Sequence, residues 1–292
     1  MTNTPTEDVQ ATLDQIVRLH EEGCEIVRCA APTRHAAAAL KDIVRQSPMP
    51  VIADIHYDYK LALASLEAGV AGVRINPGNM RDLEGLREFY RAAAAAGAKV
   101  RIGVNAGSIR PRQGLDVEQG ADEEELAGLM VREALNYCED AENEGLRNIV
   151  LSLKASDVVT TLSAYRAAAP LCDYPFHLGV TEAGPPSESV IKSSIGIGTL
   201  LAEGIGDTIR VSMTGPPEAE IPVALGILEA LELRKARGMQ IISCPTCARC
   251  QVDLDDLVEQ VKRRAGPVPG GMKVAVMGCV VNGPGEAAEA DV

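Results

Sequence analysis

Three cysteines near the end of this chain have the types and spacing of a metal-cluster site. Cys244 and Cys247 stand in IISCPTCARC, and Cys279 follows in MGCVVNGPGEA. Two thiols separated by two residues can chelate one metal from a single turn. A distant third from a Gly-rich turn supplies most of a tetrahedral cage. No cysteine follows Cys279; the next hard donor is Glu286, in Asn282-Gly283-Pro284-Gly285-Glu286. Three thiolates and one exchangeable oxygen suit a cluster that does chemistry at one corner, and suit a closed structural site less well. Cys250 extends the pair to CxxCxxC, a spacing also found in ferredoxin-like sites, and stands as an alternative ligand. Cys24, Cys29, Cys138 and Cys172 are scattered singly and read as packing thiols, not as a disulfide framework.

A second constellation is basic. Arginines and one lysine recur at the ends of short apolar runs: Arg28, Arg74 in GVRINPGN, Arg101 in VRIGVNAGS with Asn105, Lys154 in SLKAS, and Arg210 in TIRVS with Ser212. Four guanidiniums and one ammonium converging on one place repel each other unless an anion lies between them. Arg pairs bidentately with phosphate oxygens, so a diphosphate is the natural guest. The competing reading is that each Arg pairs with a core carboxylate. Two acidic strand ends accompany the cations, Asp54 in ADIH and Glu182 in HLGVTEAG. A Glu in an apolar, partly closed site can carry a raised pKa and move protons; alternatively Glu182 positions an Arg or Lys. His56 reads either as a proton donor or substrate contact, or as a packed histidine. His20 and His35 fall on outer helices and His177 at a strand start, where it reads as structural.

These residues need a scaffold that brings strand ends together. Apolar, β-branched runs predict strands at 25–29, 51–55, 72–75, 100–104, 148–153, 176–180 and 208–212. Helical patterns lie between them, clearest over 123–144, 188–203 and 219–238. An opening helix to about Glu22 is expected, with Thr4 as N-cap, Pro5 in the first turn and Glu7 at the capping-box position. This alternation predicts a (β/α)8 TIM-type barrel, with an open doubly wound sheet as the alternative. Seven strands leave the barrel one short. The first strand is therefore expected before Thr4 and is read as lacking here. The composition changes near Gly238. Residues 1–238 are expected to form the barrel, which binds the diphosphate, and 239–292 a small α/β module with an incomplete C-terminus. That module is predicted to hold one helix at 254–265 and a strand at 272–277.

Bulk properties narrow the function further. Of 292 residues, 46% are hydrophobic, Trp is absent and Phe occurs twice. This Ala/Val/Ile/Leu/Gly-rich balance is usual for parallel α/β proteins. The net charge of −13 argues against nucleic-acid or anionic-membrane binding. No signal peptide and no membrane-spanning run is visible, so a cytoplasmic protein is expected.

The stretches MTNT, ADIHYDY, VRINPGN, RIGVNAGS, SLKASDV, HLGVTEAG, SIGIGTLLAEGIGDTIRVS, CPTC and GCVVNGPGEA run through nearly all of the chain. Together, in this order, they closely resemble the 4-hydroxy-3-methylbut-2-enyl diphosphate synthase family, the iron–sulfur enzymes of non-mevalonate isoprenoid biosynthesis. The resemblance implies a 4Fe–4S cluster held by Cys244, Cys247, Cys279 and Glu286. It implies reductive ring opening and dehydroxylation of 2-C-methyl-D-erythritol 2,4-cyclodiphosphate by two electrons. Arg28, Arg74, Arg101, Lys154, Arg210 and Ser212 would hold the diphosphate. Asp54, His56, Asn105 and Glu182 would line the reacting carbons, Glu182 as the proton-transfer group, and Asn282 would come from the cluster module. Flavodoxin or ferredoxin would supply the electrons, and a homodimer would share the active site between subunits. Family members carry further residues before MTNT and after NGPGEA, and Cys250 is unusual at its position. The rival from another class is a non-redox barrel that binds a phosphorylated ligand and holds a structural zinc, with Cys250 as fourth ligand.

Overall fold

The computed structural model describes residues 1–109, 123–265, 270–281 and 283–292. The chain divides into two compact units, Met1–Ile227 and Leu228–Val292.

In the first unit strands and helices alternate as the apolar runs predict. Strands β1 (Val27–Ala30), β2 (Val51–Ile55), β3 (Gly72–Ile75), β4 (Lys99–Asn105) and β5 (Ile149–Lys154) form one parallel sheet in sequence order. A bridge between Leu151 and Phe176 continues it to β6 (His177–Leu178), which pairs in parallel with β7 (Thr208–Ile209). All seven predicted strands are present. Beside β1, the Thr2 N–H donates to the Arg28 carbonyl at 3.0 Å.

Crossover helices α1 (Val9–Glu21), α2 (Arg34–Gln46), α3 (Tyr59–Glu67), α4 (Leu83–Ala96), α5 (Glu123–Asn143), α6 (Val158–Ala168), α7 (Pro186–Ala202) and α8 (Glu220–Ala230) accompany the strands. Side chains at their starts explain where many of them begin. Thr33, Asp58, Asp82 and Asp157 each accept a backbone N–H of the first turn of α2, α3, α4 and α6. Each such cap is worth ~1 kcal/mol and fixes the loop that follows a strand end. Among the described residues no helix is long and apolar enough to cross a membrane.

Two boundaries differ from the sequence expectation. The first helix is capped by Asp8, whose carboxylate accepts from Ala11 N, and not by Thr4. The earlier hydroxyls have other partners: Thr6 donates to Ala30 O at 2.6 Å, and Thr4 meets Thr12. Glu7 accepts from Thr33 instead of closing a capping box. Local capping signals lost to tertiary hydrogen bonds. Helix α8 ends at Ala230 and does not run on to Gly238. Leu233 N donates to Leu228 O at 2.9 Å and Glu232 takes φ 57°, the closure of a Schellman-type end without a glycine.

Between β5 and β6 the ladder is reduced to one bridge, and Tyr165 of α6 fills the gap. Its hydroxyl accepts from Leu153 N at 3.0 Å and donates to His177 O at 2.6 Å. The ring is fully buried and meets Phe176 edge-on, with centroids 5.6 Å apart.

In the second unit β8 (Gln240–Ser243) pairs in parallel with β9 (Lys273–Val276), with α9 (Leu254–Ala265) between them in sequence. The predicted helix and strand are both found. Residues 291–292 run back along β9, through Asp291 N to Lys273 O and Ala275 N to Val292 O, both 2.8 Å.

Tyr165→Phe keeps the ring and removes the hydroxyl, leaving a buried N–H and a buried carbonyl unmatched. The expected loss is ~1–3 kcal/mol in urea unfolding, with circular dichroism unchanged. An unaltered midpoint would show that the hydroxyl does not join the two strands.

Candidate active site and cysteine site

The parallel register sets the basic side chains level with one another. Asp54 pairs with Arg74, Arg74 with Arg101, and Asn105 with Lys154. Arg74 and Lys154 are buried, with 7% and 9% exposure. Two glycines make room for them. A Cβ at Gly103 would stand 3.1 Å from Arg74 Nε, and one at Gly179 would stand 2.8 Å from Lys154 Nζ.

Asp54, 3% exposed, is the counter-charge of the cluster. Its Oδ1 lies 3.2 Å from Arg74 Nη1, and its Oδ2 lies 3.7 Å from Arg28 Nε and 3.4 Å from His56 Nε2. Burial alone would raise its carboxyl. The hydrogen bond from His56 and the charges of Arg28 and Arg74 overcome this and hold it well below the usual carboxylate range. A second carboxylate, Glu220 at the start of α8, is 6% exposed. It accepts from Arg210 at 3.1 Å and from Met213 N at 3.3 Å. Nothing singled Glu220 out in the sequence, because an acidic residue in the first turn of a helix is ordinary.

The pairing expected as the competing reading therefore holds for Arg28, Arg74 and Arg210. Among the described residues no carboxylate lies within ion-pair distance of Arg101 or Lys154. Burial and the charges of Arg28 and Arg74 lower the Arg101 guanidinium to about 9. Burial and the other guanidiniums lower Arg28 to about 10 against the pull of Asp54. His177, read as structural, is buried beside these cations. Its Nδ1 meets Thr208 Oγ1 at 2.9 Å, while its Nε2 is buried with no partner among the described residues. Burial, then Lys154 and Arg101, hold the imidazole well below the usual histidine range. It is neutral.

The remaining predicted residues lie at the strand ends. His56 is about half exposed; Asn105 and Ser212 are half-buried, and the Ser212 carbonyl accepts from Ser189 at 2.7 Å. Glu182 follows β6 with φ 53°, a left-handed backbone that a glutamate adopts only under local constraint. Thr181 N to Ala155 O and Thr214 N to Gly184 O, both 3.0 Å, tie down the turn around it. Glu182 is exposed, which corrects the expected apolar enclosure: the backbone reversal at 182–184 takes its side chain out of the strand line.

In the second unit, Ser243 is paired with Val276, so Cys244 and Cys279 both follow the same end of the β8–β9 pair. Backbone and side-chain hydrogen bonds from Arg249 hold the exposed Cys247 thiol below its usual range, and Arg249 also senses the charge of Cys279. Cys250 is turned to its own loop: its thiol donates to Val252 O at 3.3 Å, and its Sγ fills the space where a Cβ at Gly278 would be. Glu286 is exposed on α10 (Gly283–Glu286), and Asn282 lies outside the described residues. The soft donor set suits iron–sulfur ligation, with Cys250 turned aside. Among the described residues no three Cys, His, Asp or Glu side chains stand close enough to form a ready-made cage.

Comparison with known proteins agrees with both units. Residues 1–225 match the family model of the GcpE TIM-barrel domain, and residues 240–292 that of the GcpE protein C-terminal domain. The chain is 52% identical over 292 residues to the 4-hydroxy-3-methylbut-2-en-1-yl diphosphate synthase (flavodoxin) of Geobacter sulfurreducens, spanning 100% of this chain and 81% of that protein. It is 52% identical over 293 residues to the synthase of the same name from Salinispora tropica, spanning 74% of that protein. Among solved structures, dihydropteroate synthase of Yersinia pestis superposes with a TM-score of 0.52 at 12% identity, over 78% of this chain and 90% of that one, a likeness of fold alone. The strand-end cations sit on a TIM barrel, the cysteines on the module that accompanies it in these relatives, and the chain belongs to the GcpE family.

Proposed function

We propose that this chain is an oxidoreductase that converts 2-C-methyl-D-erythritol 2,4-cyclodiphosphate to (E)-4-hydroxy-3-methylbut-2-enyl diphosphate in non-mevalonate isoprenoid biosynthesis. The reaction takes in two electrons and two protons, opens a ring C–O bond and releases water. The observation that carries this reading is the cluster of Arg28, Arg74, Arg101, Lys154 and Arg210 around two carboxylates among the described residues, Asp54 and Glu220. Among the described residues Arg101 and Lys154 have no carboxylate partner, which leaves them to an anion, and bidentate guanidiniums suit its phosphoryl oxygens. The names of the relatives supply the reaction.

In this reading residues 1–238 bind the substrate. The four arginines, Lys154 and Ser212 fix its diphosphate, and Asn282 adds a further contact. Asp54 holds Arg28, Arg74 and His56 in place, while His56 and Asn105 face the reacting carbons. Glu182, on its constrained turn, delivers a proton to the departing oxygen. Residues 239–292 hold a 4Fe–4S cluster through Cys244, Cys247, Cys279 and Glu286. When bound, the cluster supplies the two electrons, drawn from flavodoxin or ferredoxin. The working assembly is a cytoplasmic homodimer.

Anaerobic reconstitution with iron and sulfide should give about four irons and four sulfides per chain with broad visible absorption. Glu286→Ala should lower that content. Tightly held zinc without sulfide would overturn the redox reading in favour of a non-redox barrel.

Glu182→Gln should leave the cluster spectrum unchanged and lower kcat by ~10²–10⁴-fold, the usual worth of a positioned proton donor. Near-normal turnover would remove Glu182 from proton transfer.

The folded pKa of Asp54 is depressed. Its stabilisation is therefore fully present above the unfolded value of ~3.9 and is lost only as pH falls through the folded value below it. Asp54→Asn should cost ~3–5 kcal/mol at neutral pH, because it leaves buried guanidiniums uncompensated. The gap from the parent protein should narrow in strong acid. Urea titrations at both pH values measure this, and a gap independent of pH would show that charge pairing is not its source.

A further inference from the structure

We infer that Lys154 is the proton-accepting group of the anion pocket: it is a neutral amine when the pocket is empty and gains a proton when a diphosphate enters. This rests on the diphosphate pocket proposed above and assigns one of its residues a second role.

The geometry is that of a buried amine without a counter-charge among the described residues. Lys154 ends β5 and is 9% exposed, and its Nζ occupies the space that a side chain at Gly179 would take. The charged and titratable groups around it come from every neighbouring element. Among the described residues they are the Met1 amino group (beside Arg28, Arg210 and Glu220), Arg28 of β1, Asp54 of β2, Arg74 of β3, Arg101 of β4, Tyr165 of α6, His177 of β6, Arg210 after β7 and Glu220 of α8. Asp54 is shared by Arg28, Arg74 and His56, and Glu220 is taken by Arg210. Neither carboxylate is within ion-pair distance of Lys154.

A buried ammonium among four guanidiniums is unfavourable both by desolvation and by like-charge repulsion. The guanidiniums cannot relieve this, because Arg holds its proton. The amine can, by releasing its own. Burial first, then Arg101, Arg210, Arg28 and Arg74, hold Lys154 well below the usual lysine range. An entering diphosphate reverses the balance: several negative charges arrive beside the amine, and the ammonium becomes the favoured form. The step is a proton transfer from solvent to Nζ, with no bond made or broken in the ligand. By linkage, binding weakens as pH rises above the free-state pKa of Lys154, because the proton must then be taken from a scarcer supply. Among the described residues the Met1 amino group, lowered to about 6 by burial and Arg210, and His177 are the other nearby groups able to accept a proton. The Nδ1 of His177 is held by Thr208, and its ring sits against the same cations.

The test is calorimetric titration of the whole chain with ethyl diphosphate at about pH 8, where a phosphate ester with a second ionisation near ~6 is already fully charged. Two buffers of different ionisation enthalpy report the protons exchanged. The expected result is uptake of about one proton per ligand, and an association constant that falls up to about tenfold per pH unit above the free-state pKa. Lys154→Arg, permanently charged, should bind without uptake, and His177→Gln should retain it. Equal binding enthalpies in the two buffers would overturn the inference and leave the diphosphate pocket standing. Uptake that survives in Lys154→Arg would also overturn it, and would assign the proton to His177 or the Met1 amino group. Absence of any binding would overturn both the inference and the pocket.

Discussion

Everything at the barrel's functional end depends on one electrostatic constraint. Four guanidiniums and an amine are held together in a low-dielectric interior, and among the described residues only Asp54 and Glu220 balance them. Such a cluster is stable only where geometry is rigid, because each unpaired buried charge costs several kcal/mol. The parallel ladder supplies that rigidity. It sets Asp54, Arg74 and Arg101 side by side in register, and Gly103 and Gly179 leave the space their neighbours' side chains need. Asp54 serves three partners at once, so it orients the pocket more than it neutralises it. The surplus positive charge is the property on which the proposed anion site rests.

The second constraint is the opening between β5 and β6. A continuous ladder there would draw the strands together where Lys154 and Gly179 meet. The Tyr165 hydroxyl takes the place of direct backbone pairing, satisfying one N–H and one carbonyl that would otherwise be buried unmatched. Just beyond, the chain turns sharply at Glu182. A left-handed glutamate is tolerated because hydrogen bonds at Thr181 and Thr214 hold both flanks. Backbone constraint of this kind is costly where it has no use, and here it falls on the residue proposed to move a proton.

The two units differ in the donors they gather: guanidiniums at strand ends in the first, and thiols beyond one end of a two-stranded sheet in the second. The β8–β9 register brings Cys244 and Cys279 to the same sheet end from opposite sides of α9 in sequence, while Cys250 turns to Val252 and Gly278. Arg249 favours the thiolate at Cys247, the form that binds a metal.

The sequence alone determined much of this protein. Short apolar, β-branched runs between helical patterns identify all seven barrel strands, because buried parallel strands and their crossover helices have strong local signatures. The repeated Arg, Lys and Asp at strand ends were legible for the same reason: once strand ends converge, their side chains must converge. What needed tertiary structure was partner choice. Nothing local shows that Asp54 would serve Arg28 and Arg74, that Glu220 would take Arg210, or that His177 would stand among cations; these pairings join residues on different elements. The same competition moved the first helix cap from Thr4 to Asp8, since Thr6 and Glu7 found partners in Ala30 and Thr33. It also ended α8 at Ala230, where a backbone closure outweighed a helical charge pattern. Local propensity decides which elements form, and long-range hydrogen bonds and charge decide where they stop and what their side chains meet.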